Sequence, residues 1–440
     1  MKLSRYVKIY PCRHDPQKML IFSTRTLAKI LVPTSTLHAI TEERLTAQER
    51  ETLVRNGFLV SDTEAERRHM LTVIADCEER MGKSYLMAVM NLDCNLACRY
   101  CYEGKERGKH YMSRDTANLL VEYSDVNFLQ RGKDICIDFY GGEPLLSLDL
   151  IKEISRQLGV SAKKAGREYT FSLVTNGTLL TKDVVAKLRD HGLKRVRVTL
   201  DGPRDNHNYY RPLVSGKGSF DLIVKNLAEI SDLVKIGIGG NYSRENYREF
   251  PLLLQQLAES GLTPDKISHV IFGPIAGTLG EHLIPEFSGG CTSTDEPWLI
   301  DATLFLRKEI LRRGYFTPRV SPTTCMVEYR NQLVVHYDGS FYKCPAFIGR
   351  KGMEVGNLVS GVRPYEDTYN LDLWRNDDCL DCAYLPLCFG GCRFLKLLRD
   401  GAMDGVQCRK EYFDASLEEL VLQDIRFPRK RGGWKESESV

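Results

Sequence analysis

Residues 85–104 read YLMAVMNLDCNLACRYCYEG, an apolar run that leads directly into three cysteines. Cys94, Cys98 and Cys101 fall within eight positions, so they cannot pair with one another without leaving one thiol over. Clustered thiols of this kind indicate a metal site, and three thiolates leave one position of a metal centre for another ligand. The apolar run before them predicts a strand that ends at the cysteines.

The bulk composition is that of an ordinary globular protein. The 440 residues are 42% hydrophobic and 27% charged, with a net charge of +3. The length predicts two or three domains. The small net charge argues neither for nor against nucleic acid, and we expect no nucleic-acid partner. No run of about 18 apolar residues occurs, so we expect no membrane partner. The charged, proline-containing start lacks a signal-peptide pattern, which favours a cytoplasmic location. In that reducing compartment the 14 cysteines are not expected to form a disulfide framework.

Downstream of the first cysteines the chain alternates between strand-like and helix-like segments. Six short β-rich runs recur between residues 85 and 275, separated by amphipathic helical patterns. Strands joined in this way form βαβ units and a parallel sheet. The chemistry of parallel α/β barrels lies at the carboxyl ends of their strands, where polar turns gather. Here these turns are GGEP at 141–144, TNG at 175–177, LDGP at 200–203 and GGNY at 239–242.

Two further regions flank this alternating segment. The first part of the chain carries three short β-rich runs followed by two helical patterns. The last part is rich in cysteine and ends in a helical pattern and a polar, glycine-containing tail. We therefore expect domains at 1–75, 84–300 and 315–425, and a disordered tail at 426–440.

The motif CNLACRYC, with Tyr100 before its last cysteine, resembles the CxxxCxxC signature of the radical S-adenosylmethionine (radical SAM) superfamily. The resemblance implies an α/β fold with a partial (β/α)6 barrel. It also implies a [4Fe–4S] cluster held by Cys94, Cys98 and Cys101, whose remaining iron binds the amino and carboxylate groups of SAM. Reductive cleavage of SAM then gives a 5′-deoxyadenosyl radical that abstracts hydrogen from a substrate.

Turns after the later strands resemble SAM-binding motifs of the same family. Gly141, Gly142 and Glu143 match the turn that contacts the methionine amino group, although such proline turns also occur without this role. Arg211 matches an arginine directed at the SAM carboxylate, and a surface salt bridge is the alternative. By resemblance, the cofactor-binding residues are Tyr100, Gly141, Gly142, Glu143, Asn176, Thr199, Arg211 and Asn241.

The second cysteine region resembles the SPASM domain of radical SAM enzymes. A zinc ribbon would need only four of its cysteines, whereas seven cysteines with little local secondary structure fit two auxiliary [4Fe–4S] clusters better. The resemblance assigns the outer cluster to Cys379, Cys382, Cys388 and Cys408, and the inner cluster to Cys325, Cys344 and Cys392.

The inner cluster lacks one expected ligand. Relatives with a complete inner cluster carry one more cysteine a few residues before the position of Cys325, and this chain has none there. The fourth ligand is then Cys291, another side chain, or an open site that binds substrate directly.

Known SPASM enzymes mostly modify ribosomally made peptides or protein side chains. The resemblance implies an oxidoreductase that installs a thioether or another crosslink in a precursor peptide, with a low-potential electron donor such as flavodoxin or ferredoxin. Maturases of short peptides, including those named for geopeptides, look similar. Residues 1–75 resemble a winged-helix-like unit that recognises such a precursor, the alternative being a structural cap on the barrel.

Two other functions stay open. Anaerobic sulfatase-maturating enzymes, which make formylglycine, have an aspartate after the second inner-cluster cysteine, whereas Pro345 follows Cys344 here. A non-enzymatic iron–sulfur electron carrier is the more distant alternative, since a carrier needs no SAM pocket.

Overall fold

The first region of the chain is a small α/β structure. The computed structural model describes residues 1–12, 15–101, 107–275, 294 and 296–428. Strands β2, β3 and β4 form an antiparallel sheet, and β1 pairs with β5. The prediction of three strands followed by two helices is confirmed. The elements are β1 (Lys2–Leu3), β2 (Val7–Pro11), β3 (Lys18–Ser23), β4 (Lys29–Pro33), α1 (Thr34–Thr41), α2 (Ala47–Arg55), β5 (Leu59–Val60), α3 (Thr63–Met70) and α4 (Val73–Met81).

Local sequence signals explain where these helices begin. The Thr46 hydroxyl accepts a hydrogen bond from the Glu49 backbone N–H, and the Glu49 carboxylate accepts from the Thr46 backbone N–H. This capping box satisfies donors that the first turn of α2 cannot satisfy itself. The Asp62 side chain caps α3 in a similar way by accepting from the Glu64 N–H.

The largest sheet contains six parallel strands in the order of the sequence, which confirms the six predicted βα units. On β7 the buried residues Ile135, Ile137 and Phe139 alternate with partly exposed residues, as expected for a sheet with one face against helices. The elements are β6 (Lys83–Val89), α5 (Arg114–Ser124), β7 (Asp134–Tyr140), α6 (Leu148–Ala165), β8 (Tyr169–Thr175), α7 (Lys182–Arg189), β9 (Leu193–Thr199), α8 (Arg204–Tyr210), α9 (Phe220–Ile230), β10 (Lys235–Tyr242), α10 (Phe250–Glu259), β11 (Ile267–Pro274) and α11 (Pro297–Arg312).

Two strands that the sequence did not reveal extend this sheet beyond β6. Strand β12 (Gln332–Val335) runs parallel to β6, and β13 (Phe341–Tyr342) is antiparallel to β12. All four residues of β12 are buried, so its pattern lacks the alternation that marks a strand with one exposed face.

Short elements make up most of the cysteine-rich region. No described helix is both long and apolar enough to cross a membrane. The elements are β14 (Gly356–Asn357), β15 (Gly361–Val362), α12 (Glu366–Tyr369), α13 (Asp377–Leu380), α14 (Leu385–Cys388), α15 (Arg393–Asp400) and α16 (Lys410–Arg426).

The described chain divides into two compact units. The first, here called the cysteine-rich unit, combines residues 1–80, 319–329 and 370–428, and the second, the barrel unit, contains residues 81–318 and 330–369. In the cysteine-rich unit the N-terminal segment and the C-terminal segment share one apolar core. Its buried members are Tyr6, Met70, Ile74, Trp374, Leu380, Leu385 and Phe389.

The division at 1–75, 84–300 and 315–425 stays a prediction about function, and the predicted tail at 426–440 lies outside the described residues from 429 onward. Cys291 also lies outside the described residues.

We expect Leu385→Ala to destabilise the cysteine-rich unit by about 2–5 kcal/mol, because Leu385 is fully buried in the shared core and its truncation leaves a cavity. Hydrogen exchange should accelerate in residues 1–80 as well as around residue 385. Leu31→Ala is the control, since the Leu31 residue is 50% exposed and its truncation should cost well under about 1 kcal/mol. Faster exchange confined to residues 370–428 would contradict the shared core.

Candidate functional site

The three clustered cysteines lie on the loop after β6, here called the cysteine loop (residues 91–101). This loop pairs with the segment that follows α8. The Ala97 N–H donates to the Pro212 carbonyl at 2.7 Å, and the Arg99 N–H donates to the Tyr210 carbonyl at 3.0 Å. The pairing brings Arg211 beside the cysteines, although 110 residues separate the two segments along the chain.

Hydrogen-bond donors converge on the first thiol. The Leu96 N–H donates to the Cys94 Sγ at 3.4 Å, and the Asn176 Nδ2 lies 3.6 Å from the same sulfur. Burial raises the pKa of Cys94 to about 11, so a neutral thiol is the stable form until a metal ion replaces the proton. Donors of this kind to cysteine sulfur are among the features that tune iron–sulfur clusters.

Two arginines lie near the second thiol. Burial raises the pKa of Cys98, while the positive charges of Arg211 and Arg107 act to lower it. The Arg107 Nη2 also donates to the Cys94 carbonyl at 2.9 Å, which holds the guanidinium against the cysteine loop. Cations in these positions would stabilise thiolates bound to iron.

The chemistry of this donor set fits an iron–sulfur cluster. Three thiols on one loop, N–H groups directed at sulfur and two flanking arginines supply what a negatively charged cluster needs. In the parts of the chain that the structure describes, no three His, Cys, Asp or Glu side chains form a ready-made metal site. The fit therefore rests on the kind of donors and their shared loop.

Glu143 of the GGEP turn is fully buried and connects the ends of β7 and β8. Its Oε1 accepts from the Thr175 hydroxyl at 2.7 Å and from the Leu145 N–H at 3.1 Å. Its Oε2 accepts from the Asn176 N–H at 2.8 Å. Burial raises the pKa of Glu143, and these hydrogen bonds oppose that change. A carboxylate has about four acceptor positions, so these three hydrogen bonds leave one of them unused.

The two glycines of this turn allow its backbone to touch the cysteine loop. A Cβ on Gly141 would lie 2.3 Å from the Asn91 carbonyl oxygen, and one on Gly142 would lie 2.3 Å from the Asp93 carbonyl oxygen. The Gly142 N–H donates to the Asn91 carbonyl at 3.0 Å, so the contact is a hydrogen-bonded one. Backbone packing is thus a sufficient reason for both glycines, beside the predicted cofactor contact.

Three of the predicted contact residues meet at Asp201, which the sequence analysis did not single out. The Tyr100 hydroxyl donates to Asp201 Oδ2, and Arg211 Nη1 donates to the Tyr100 hydroxyl at 2.9 Å. The Asn241 Nδ2 donates to the same hydroxyl at 3.0 Å, and the Asn241 N–H donates to Asp201 Oδ1 at 2.7 Å. The cysteine loop is therefore connected to the carboxyl ends of β9 and β10.

Arg211 and Asp201 form a buried ion pair rather than a surface salt bridge. Arg211 Nη1 lies 3.8 Å from Asp201 Oδ2, and the two side chains are 12% and 0% exposed. Burial raises the pKa of Asp201, while Arg211 lowers it. The signal for Asp201 was present in the sequence, since it lies in the LDGP turn that follows strand β9. Thr199, the last residue of β9, lies opposite Gly239 of β10.

A neutral histidine supports this ion pair from behind. The Asp201 N–H donates to His207 Nδ1 at 3.2 Å, so the ring proton belongs on Nε2. Nε2 then donates to the Ser219 hydroxyl at 3.0 Å, and that hydroxyl donates to the Arg211 carbonyl at 2.7 Å. Burial, with a contribution from Arg211, lowers the pKa of His207 to about 3.

The predicted outer-cluster cysteines all lie in the cysteine-rich unit. Burial raises the pKa of three of them, and the charges of neighbouring members of the set raise each value further. A turn of three consecutive left-handed residues, Phe389, Gly390 and Gly391, follows α14. The set is Cys379, Cys382, Cys388 and Cys408.

Two of the three predicted inner-cluster cysteines are in contact. A hydrogen bond joins the side chains of Cys325 and Cys392, and it raises the pKa of Cys325 together with burial. Both residues belong to the cysteine-rich unit, whereas Cys344 belongs to the barrel unit, just before a short helical turn at Pro345–Phe347.

The family model described as "Radical SAM superfamily" matches residues 89–257. The match begins at the end of β6 and reaches into α10, so it includes the cysteine loop, Glu143, Asp201, Arg211 and Asn241.

Similar proteins include the probable GTP 3′,8-cyclase of Methanococcus maripaludis, which is 34% identical over 309 residues, covering 66% of this chain and 94% of the relative. Mycofactocin maturase MftC of Mycolicibacterium smegmatis is 29% identical over 327 residues, or 71% of this chain and 78% of the relative. The Fe-coproporphyrin III synthase of Methanosarcina barkeri is 27% identical over 42% of this chain. That match covers 43% of the synthase, so the chain spans less than half of its length.

Two solved structures share the fold. The structure of anSMEcpe with bound AdoMet has a TM-score of 0.61 at 18% identity and covers 77% of this chain and 98% of its own. Streptococcus suis SuiB bound to S-adenosylmethionine has a TM-score of 0.53 at 15% identity and covers 92% of this chain and 98% of its own. These likenesses confirm the fold class that the βα alternation predicted.

We expect Asp201→Asn to destabilise the metal-free protein by about 3–5 kcal/mol, because the substitution leaves Arg211 buried without its carboxylate. The free energy of unfolding in denaturant measures the effect. Asp221→Asn is the matched control, because Asp221 pairs with Arg204 at the surface, where the two side chains are 65% and 56% exposed. That control should cost under about 1 kcal/mol, and equal losses for the two variants would contradict the assigned burial.

Acid should destabilise the metal-free protein partly through His207. The pKa of His207 is lower in the folded chain than its value of about 6.5 in the unfolded chain. The contribution of His207 to the free energy of unfolding is therefore complete above pH 6.5 and is lost as pH falls towards 3. Between pH 7.5 and 5.5 we expect His207→Gln to lose about 1.4 kcal/mol less stability than the parent. An identical loss in both proteins would show that His207 does not stay neutral.

The site and the comparisons lead to one conclusion. The three thiols, Glu143 and the Asp201 network lie at the carboxyl ends of parallel strands, within the residues that the family model matches. A relative at 34% identity is covered over nearly its whole length. The chain therefore belongs to the radical SAM superfamily.

Proposed function

We propose that this chain is a SAM-dependent radical enzyme, an oxidoreductase that modifies a peptide. The observation that carries the proposal is the cysteine loop, whose thiols have N–H donors and cations around them and which is hydrogen-bonded to the buried acids Glu143 and Asp201 through Asn176 and Tyr100. An electron carrier needs no such polar pocket beside its cluster. The names of relatives support a peptide as substrate, among them PqqA peptide cyclase of Rhodopseudomonas palustris and the mycofactocin maturase.

In this proposal Cys94, Cys98 and Cys101 hold the cluster, and SAM completes its coordination. When bound, the cluster and SAM supply one-electron chemistry that removes a hydrogen atom from a substrate C–H bond. The chain positions the cofactor. Glu143 would accept from the SAM ammonium group, and Arg211 would bind its carboxylate.

Asp201 has a positioning role in the same proposal. Its carboxylate offsets the charge of Arg211 and holds the hydroxyl of Tyr100, so the arginine and the aromatic ring are in place before any ligand arrives. Asn241 is hydrogen-bonded to the same hydroxyl and would face the ribose of SAM. Asn176 and Thr199 lie at or next to the ends of β8 and β9 and would complete the contacts. Groups fixed in this way do not need to reorganise when SAM binds.

The favoured reaction is formation of a thioether or another crosslink in a ribosomally made precursor peptide. Closing such a crosslink removes two hydrogens from the peptide, one as a hydrogen atom and one as a proton, and it leaves one electron over. Seven cysteines would hold two auxiliary clusters, and these would supply an acceptor for that electron. Pro345 after Cys344 leaves no aspartate in the position used by sulfatase-maturating enzymes, so that reaction is the alternative. In this proposal a low-potential protein such as flavodoxin or ferredoxin donates the electron that the enzyme needs. We also propose that the enzyme is cytoplasmic.

Residues 1–75 are proposed to bind the precursor. They form a small antiparallel sheet with helices, and strand addition at an exposed sheet edge is a common way to bind an extended peptide. A structure of SuiB with a related fold is described as bound to the precursor peptide SuiA, which supports a peptide partner.

The first test measures reductant-dependent release of 5′-deoxyadenosine from the anaerobically reconstituted protein. Cys94→Ala should abolish this release, because a cluster that loses one thiolate no longer presents its open iron to SAM. Cys136→Ala is the control, since Cys136 lies on β7 outside both cysteine sets and should leave the release intact. Undiminished release from the Cys94→Ala variant would refute the role of the cysteine loop.

The same preparation identifies the reaction. Incubation with a short cysteine-containing peptide encoded beside this chain should remove two hydrogens per crosslink, as measured by mass spectrometry. Conversion of the cysteine to formylglycine would instead support the sulfatase-maturation alternative. Release of 5′-deoxyadenosine without any change in peptide mass would exclude that peptide as the substrate.

A further inference from the structure

Cys325 and Cys392 are placed side by side by the backbone around them. Cys325 precedes a short helical turn at Met326–Glu328, and Cys392 precedes α15. Backbone N–H groups of Val327 and Arg393 donate to the Cys325 sulfur, and the Cys392 side chain hydrogen-bonds to it. One thiol is thus surrounded by three hydrogen-bond partners, two of them fixed by the main chain.

A buried ion pair joins the two chain segments that carry these thiols. The Arg393 Nη2 donates to Glu328 Oε1, and the two side chains are only 1% and 2% exposed. Arg393 is the residue after Cys392, and Glu328 follows Cys325 by three positions. The pair therefore joins the two cysteine segments at a separation of 65 residues along the chain.

Further hydrogen bonds hold both charges in one orientation. The Glu328 Oε2 accepts from the Asp372 N–H at 3.2 Å, and the Arg393 Nε donates to the Asn370 carbonyl at 3.2 Å. Asn370 and Asp372 both have positive φ angles, of 47° and 60°, in the loop that supplies these partners. Backbone conformations of this kind cost energy and persist where surrounding contacts require them.

A buried ion pair is a poor source of stability, because removing two charges from water costs about as much as their attraction returns. In other proteins, replacement of a buried ion pair by apolar side chains of similar size is often neutral or stabilising. The ion pair is therefore better explained by the relative position that it imposes on the two cysteine segments than by a contribution to the free energy of unfolding.

We propose that the Glu328–Arg393 pair positions Cys325 and Cys392 as two preassembled ligands of the inner auxiliary cluster. The inference rests on the proposed assignment of these cysteines to that cluster. Because the ion pair already orders the two segments, binding of iron does not have to supply that ordering free energy. Glu328 and Arg393 are thus positioning residues, and neither needs to touch the iron.

The test replaces both charges at once, as Glu328→Met with Arg393→Met, so that no unpaired charge is left in the core. After anaerobic reconstitution with iron and sulfide, we expect about four fewer iron atoms per chain than in the parent, the content of one [4Fe–4S] cluster. The unfolding temperature of the metal-free variant should stay close to that of the parent, and one reduced-cluster signal should be missing from the electron paramagnetic resonance spectrum.

A second buried ion pair provides the matched control. Arg319 and Asp424 also lie in the cysteine-rich unit, 2.9 Å apart, with side chains 13% and 4% exposed. Arg319→Met with Asp424→Met should keep the full iron content. If this control loses as much iron as the first double variant, the loss reflects general loosening and the positioning role is wrong.

Two more variants separate the possible failures. Cys325→Ala should lose the same iron, and full iron content in that variant would overturn the cluster assignment itself. Iron loss in Cys325→Ala together with full content in a folded Glu328→Met, Arg393→Met protein would overturn only the positioning role. Should the double variant fail to fold, Arg393→Lys keeps the positive charge and should bind as much iron as the parent, whereas Arg393→Gln should lose one cluster. Equal iron content in Arg393→Lys and Arg393→Gln would overturn the positioning role.

Discussion

The cysteine loop is held between two segments by backbone hydrogen bonds, and the rest of the candidate site depends on that attachment. On one side the Gly142 N–H donates to the Asn91 carbonyl at 3.0 Å, and on the other the Ala97 N–H donates to the Pro212 carbonyl at 2.7 Å. The first contact brings Glu143 to the thiols, and the second brings Arg211. Because both contacts use main-chain atoms, they depend on strand ends that meet at one edge of the parallel sheet rather than on particular side chains.

The buried acids at this edge of the sheet are stabilised by hydrogen-bond donors and, at Asp201, by an opposite charge. Glu143 accepts three hydrogen bonds in a fully buried position, and Asp201 is offset by Arg211 and by donors from Tyr100 and Asn241. In the proposed function Glu143 accepts from an ammonium group and Arg211 binds a carboxylate, so the two residues together suit a zwitterionic ligand. The low local dielectric strengthens each of these interactions. Burial of the charged groups costs desolvation free energy, and folding offsets that free energy before any ligand binds.

The two cysteine regions use related means to control thiols. In the cysteine loop the Leu96 N–H donates to Cys94, and Arg107 and Arg211 supply positive charge near Cys98. At Cys325 two backbone N–H groups serve as donors, and the nearby charges are paired as Glu328 and Arg393. The difference agrees with the roles we propose, since the first site binds a charged cofactor and the second holds a structural or electron-transfer centre.

Sequence alone determined the features that depend on neighbouring residues. The βα alternation, the cysteine spacing and the polar turns after the strands are local patterns, and they predicted the parallel sheet and most of the candidate site. Only the tertiary structure decided which distant segments meet. It added β12 to the edge of β6, joined Tyr6 and Trp374 in one core, and made Asp201 the centre of the network around Tyr100. Such contacts arise from burial and hydrogen bonding between residues that are far apart in the sequence, so a local sequence pattern does not predict them.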